Sequence, residues 1–154
     1  YIAQLDREIG RHAKAKIPKL LMSIPGVGPV TAVSVWAEVG DFSRFSGAGK
    51  LCAFAGLVPT ERSSGGVQRL GHITRAGSTI LRYVLVEAAM RVRDTDNSAV
   101  LHKFYRTIKE KRGAMRARVA LARKILSISW HMVRSDAPYQ QRFPIQKTPI
   151  PETT

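Results

Sequence analysis

The chain has 154 residues, enough for one domain with a hydrophobic core, and 44% hydrophobic against 23% charged residues places it among globular rather than disordered chains. Its 25 Lys and Arg against 11 Asp and Glu leave a net charge of +14, an excess whose self-repulsion a polyanion relieves, and DNA or RNA is the commonest such partner. Cys52 is the single cysteine, so no internal disulfide can form and a reduced, intracellular compartment is expected. The four histidines have no Cys or His neighbour at metal-ligand spacing, and there is no long apolar span or signal peptide to imply a membrane partner.

In chain order, Ile2, Leu5 and Ile9 recur at helical spacing among charged residues, so 1–16 reads as the end of an amphipathic or coiled-coil helix with Gly10 as a weak point. The chain opens on Tyr1 partway through that pattern and is expected to be a fragment of a longer protein. A short apolar helix is predicted over 17–24 with Pro18 in its first turn, followed by the sequence PGVG. A mostly buried helix over 29–39 carries Val30, Val33, Val35 and Trp36 and stops at Gly40. The next covers about 47–55, with Ser46 as N-cap and Gly56 just past its end.

Residues 57–77 are rich in Gly, Ser and Thr and read as loop, with short β pairing around 67–73. Ser78 then caps a helix in which Leu81, Val84, Leu85, Ala88, Ala89 and Val92 form one apolar face, predicted to be the central packing element. The polar sequence DTDN at 94–97 reads as a helix stop rather than a metal site at Asp94 and Asp96. Val100, Leu101, Phe104, Tyr105 and Ile108 mark a helix ending near Gly113, and Leu121, Ile125, Ile128 and Met132 mark the last, over 114–135. A flexible, proline-rich tail is expected over 136–154. The class is mainly α, with a long Ser/Gly-rich loop that can include a short β-hairpin.

That loop carries the chemistry. Gly65 and Gly66 allow Ser63 or Ser64 to be presented on an adaptable turn, where a hydroxyl could act as a nucleophile. Arg62, Arg69, His72, Arg75 and Arg82 follow with donors that suit phosphate oxygens. The plainer alternative is a solvated Ser/Gly turn beside a basic surface. No His/Asp pair stands near the serines to act as a base. Residues 17–39 have the form of a helix-hairpin-helix, which places the backbone amides around Gly26 and Gly28 where they can face a phosphate, or else serves only for packing. A second basic cluster, with Lys109, Lys111, Arg112, Arg116, Arg118, Arg123 and Lys124, is suited to a nucleic-acid backbone. Trp36 and Trp130 read as core residues.

The blocks PGVG, GDFSRFSGAGKLCAFAGLVPTERSSG, GHITRAGSTILRYVLVEAA and VALARKILSISWHMVR, taken in order from about 20 to 139, resemble the C-terminal domain of the insertion-sequence transposases called bridge-RNA-guided serine recombinases. The resemblance implies a transposase domain over 17–135 that acts by serine transesterification on DNA. It places the nucleophile just after the GL-x-P motif and before a glycine, at Ser64, with Ser63 as the neighbouring register. It also implies an upstream domain whose acidic residues bind Mg²⁺, a guide RNA, a homo-oligomer and a prokaryotic, nucleoid-associated location. No cofactor is expected within this chain. The rival reading is a non-catalytic helix-hairpin-helix module that only binds nucleic acid.

Overall fold

The computed structural model describes residues 1–64, 67–73, 76–92 and 99–140, with the backbone alone described over 59–64 and 67–73. Among them the order is α1 (Ile2–His12), α2 (Lys16–Leu21), α3 (Pro29–Val39), a 3-10 turn (Phe42–Arg44), α4 (Ala48–Phe54), β1 (Pro59–Ser64), β2 (Val67–Ile73), α5 (Thr79–Val92), α6 (Ala99–Arg112) and α7 (Ala114–Ser135). The protein is mainly α, as the periodicity predicts, and the two strands pair antiparallel.

The helices form where apolar spacing and local stop signals agree. Pro29 opens α3 in the position where its missing N–H costs nothing, and Gly40, at φ 65°, closes it. Gly56 at φ 68° ends α4, and Gly113 at φ 85° lets α6 fold back onto α7. At the start of α4 the cap is Gly47 rather than Ser46, with no side-chain hydrogen bond. The helix begins one residue later than its polar signal. α1 runs unbroken through Gly10, and Ile2 and Leu5 on it are exposed.

The core is continuous and centred on α7, which packs against α2, α4, α5, α6 and the 3-10 turn. This displaces α5 from the central role expected for it: α5 is the layer between α3 and α7, and all six of its predicted inward residues are buried. A 22-residue helix simply offers more length for neighbours than one of 14. Each fully buried Leu or Ile here contributes about 1.5–3 kcal/mol relative to exposure, and Leu81, Leu85, Leu101, Leu121, Ile125 and Leu126 are all fully buried.

Two further expectations need correction. Val30, at the outer edge of α3, is 53% exposed, and Trp36 is only half-buried, tilted against the His12 ring at 6.2 Å rather than set in the core. Trp130 does pack on the core. The first residues of the stretch assigned to a flexible tail are held in place: Asp136 accepts from Lys16 Nζ at 2.8 Å, and the Tyr139 amide donates to Ser23 Oγ at 2.8 Å. Tyr139 also packs against the core. Residues 141–154, and Asp94 and Asp96 with them, lie outside the described residues. No helix among the described residues is long and apolar enough to cross a membrane.

Candidate nucleic-acid interface

The two serines sit on a hairpin whose root is tightly built. The amide of Ser78 donates to the carbonyl of Phe54 at 3.3 Å, joining the entry of α5 to the exit of α4. Between them Gly77 lies so close to the opposite backbone that a Cβ there would be 2.5 Å from Gly56 N, 2.6 Å from Phe54 O and 2.7 Å from Ala55 C. Ser78 Oγ does two things at once. It accepts from the Leu81 amide at 3.2 Å, capping α5 as predicted, and it donates to Glu38 Oε2 at 2.6 Å, which ties the root to α3.

From that root β1 and β2 run out and contact chiefly each other. Ser64 pairs with Val67, Ser63 with Gln68, Arg62 with Arg69 and Glu61 with Leu70, and the register slips between Pro59 and Glu61. Ser63 and Ser64 are therefore the last two residues of β1, at the far end from the root. Gly65 and Gly66, between the strands, lie outside the described residues, as does Arg75. His72 is on β2 near the root end.

The remaining basic residues divide among three places. Arg82, in the first turn of α5, is half-buried, and its Nη1 is shut from solvent with no hydrogen-bond partner among the described residues. Lys111 and Arg112 close α6 and Arg116 opens α7, all exposed around the Gly113 turn. Arg123 lies two turns further along α7, half-buried, its carbonyl accepting from Cys52 Sγ at 3.6 Å. Burial pushes the Cys52 thiol from 9.0 to about 11, with Arg123 opposing that rise. Lys124 stacks over the Phe104 ring at 4.0 Å, and desolvation holds its pKa below the ordinary lysine value. The sequence cluster is thus an exposed tip plus a packed pair, rather than one continuous stripe.

At the turn between α2 and α3, Gly26 has φ 85°, and a Cβ on it would be 2.4 Å from Val92 Cγ2 and 2.6 Å from Ala88 O. Its bareness serves close packing against α5. Gly28 caps α3 with extended backbone, and Arg91 Nη1 stands 3.6 Å from where its Cβ would be. Sequence reasoning missed Arg91, since 20–41 holds no cation. Only the antiparallel packing of α5 on α3, which also brings Ser78 to Glu38, delivers one. Among the described residues no three His, Cys, Asp or Glu side chains cluster as metal ligands.

The described structure is thus a helical body with a basic tip and a serine-bearing hairpin. The chain belongs to the transposase IS116/IS110/IS902 family, whose model matches residues 18–106. It is similar to the transposase for insertion sequence element IS1111A of Coxiella burnetii, with 36% identity over 145 residues, 90% of this chain and 39% of that protein. A Pseudomonas aeruginosa protein named "Probable family 20 transposase" is 34% identical over 143 residues, 90% of this chain and 42% of its own length. The pilin gene-inverting protein of Moraxella bovis is 30% identical over 125 residues, 80% of this chain and 38% of that protein. The chain therefore spans about two fifths of the length of these relatives.

Proposed function

We propose that this chain is the DNA-binding, nucleophile-bearing domain of an enzyme that moves DNA segments by serine transesterification. The observation that carries the reading is the hairpin. Two serines end β1, and one rung below them Arg62 stands directly opposite Arg69. Arginine at two opposed register positions supplies the residue type best suited to a phosphate. A DNA phosphate is the anion that a chain of net charge +14, in a family of transposases and with a gene-inverting relative, is suited to hold.

In the proposed step Ser64 Oγ forms a bond to a phosphodiester phosphorus, the bond from phosphorus to one deoxyribose oxygen breaks, and that strand leaves as a hydroxyl. A second strand's hydroxyl then attacks the phosphoserine, restoring a phosphodiester and the free serine, so bond energy is conserved. A serine hydroxyl needs an activator. The resemblance assigns that role to Mg²⁺ held by acidic residues in a separate domain, together with a guide RNA and a homo-oligomer. This chain's own contribution is to present the hydroxyl and fix the phosphate with arginine.

The test uses the full-length protein with its RNA, Mg²⁺ and a DNA substrate. A covalent protein–DNA adduct should form, and mass spectrometry should place it on Ser64. Ser64→Ala should abolish the adduct and leave DNA affinity nearly unchanged. Linkage at Ser63 would move the nucleophile by one residue, and an adduct that persists without both serines would refute the mechanism. A second reading, a binding module only, is favoured by the Arg91 guanidinium beside Gly28 at the open start of α3. It requires Ser64→Ala to be silent in every assay while Arg91→Ala weakens DNA binding.

A further inference from the structure

Beside the hairpin root, on the side of α4, three side chains form a layered shelf. The Arg44 guanidinium lies 4.6 Å from the Phe45 ring centroid and 4.9 Å from that of Phe54, and the two rings are tilted by 54° with centroids 5.4 Å apart. Arg44 is exposed, Phe54 is 36% exposed and Phe45 is half-buried against the core. An arginine backed by two rings loses little further freedom when a planar group settles on its outer face.

Its donors are unspent. Among the described residues the Arg44 side chain makes no hydrogen bond and no ion pair. Asp41, three residues before it, accepts from the Ser43 amide at 2.8 Å and the Ser43 hydroxyl at 2.6 Å, and feels the Arg44 charge without pairing with it. Arg11, by contrast, spends its donors on Glu8 at 2.8 Å. The Arg44 guanidinium carbon stands over both rings, whose 54° tilt lets the guanidinium lie parallel to at most one of them, and the residue is exposed to solvent. The shelf adjoins the root of the hairpin that carries the serines at its far end, because the carbonyl of Phe54 is the one that receives the Ser78 amide there.

We infer that Arg44, Phe45 and Phe54 form a binding shelf for an unpaired nucleotide, whose base stacks on the outer face of the Arg44 guanidinium. Arginine planes and aromatic rings are the usual platforms for bases taken out of a stack, and such stacking tolerates any base. A duplex, whose bases are already stacked, has nothing to offer the shelf. The inference rests on the DNA-handling role proposed above and deepens it: the shelf would hold a strand opened beside the hairpin root, so the substrate is a junction or overhang rather than an intact duplex.

The experiment compares a blunt DNA duplex with the same duplex bearing a short single-stranded overhang that contains 2-aminopurine. The wild-type chain should bind the overhang form more tightly and quench its fluorescence by stacking. Arg44→Ala and Phe54→Ala should each weaken overhang binding about tenfold and abolish the quench, leaving blunt-duplex affinity unchanged. Arg44→Lys, which keeps the charge but not the plane, should also lose the quench. Equal wild-type affinity for both forms without quenching, or variants that behave as wild type, would overturn the shelf alone. Failure of the folded wild type to bind either DNA would overturn the shelf and the DNA-handling role together. Should Phe54→Ala fail to fold by circular dichroism, the two Arg44 variants decide the matter.

Discussion

Gly77 shows how a single missing side chain positions the root of the hairpin. All three atoms that a Cβ would meet at 2.5–2.7 Å belong to backbone, so no side chain can swing aside to admit a methyl group. Gly77→Ala should therefore force the hairpin root apart and destabilise the protein by about 1–3 kcal/mol, as overpacking does elsewhere, read as a lowered denaturant midpoint. A fully wild-type midpoint would show that the root is loose. Cys52 gives a second prediction at this scale. Its thiol is buried and pushed up to about 11 from 9.0, so above pH 9 the unfolded chain gives up a proton that the folded chain keeps. The contribution is present below pH 9 and is lost as pH rises toward about 11, so stability should fall through that window. Cys52→Ser or Cys52→Ala should flatten this part of the profile, and the wild-type thiol should react with an alkylating reagent only as fast as the protein opens.

At the scale of elements, the informative joint is Ser78. It was legible in the sequence as a cap because a serine stood just before a strongly periodic apolar run, and it does cap α5. Its bond to Glu38 was not legible, because it depends on the C-terminal end of α3 packing beside the start of α5, 40 residues away in sequence. Ser78→Ala should cost about 1 kcal/mol for the cap, measured by chemical denaturation. Glu38→Gln should cost less, because an amide oxygen still accepts. If the Ser78–Glu38 bond holds the root, the double-mutant cycle with Glu38→Ala should show a coupling of about 0.5–1.5 kcal/mol, and strictly additive losses would separate the two residues. The apolar faces of α5 and α7 were equally legible. The hub was not, since periodicity reports which residues face inward and says nothing of how many neighbours they face.

For the whole molecule, charge decides behaviour. α7 carries five Lys and Arg and no acidic residue, and α6 ends in Lys109, Lys111 and Arg112. Of these two helices the one ion pair described is Arg106 with Glu110 at 4.0 Å, exposed on both sides and therefore weak. Duplex DNA binding should fall about a hundredfold or more between roughly 50 and 200 mM salt as counterions are released. Replacing Lys111, Arg112 or Arg116 singly by Ala should lower the slope of log affinity against log salt by about one each, whereas Arg123→Ala, whose residue is half-buried on α7 near Cys52, should act more on stability than on the slope. Binding indifferent to salt would remove the electrostatic basis of the nucleic-acid role.

The amino-acid sequence by itself determined the helical class, most element boundaries, the inward face of α5 and the cationic excess. All of these follow from local spacing, from capping residues and from simple counting, so they need no knowledge of which elements meet. It also marked Ser63 and Ser64 as the notable hydroxyls, through the glycines that follow them. The tertiary structure alone decided that α7 is the hub, that Gly26 is bare for the sake of α5, and that Arg91 reaches the start of α3. It likewise decided that Arg44 lies across Phe45 and Phe54. Apart from Arg44 with its neighbour Phe45, each of these is a contact between residues well separated in the chain, created when apolar faces of several helices are buried together, and no local pattern encodes which faces will meet.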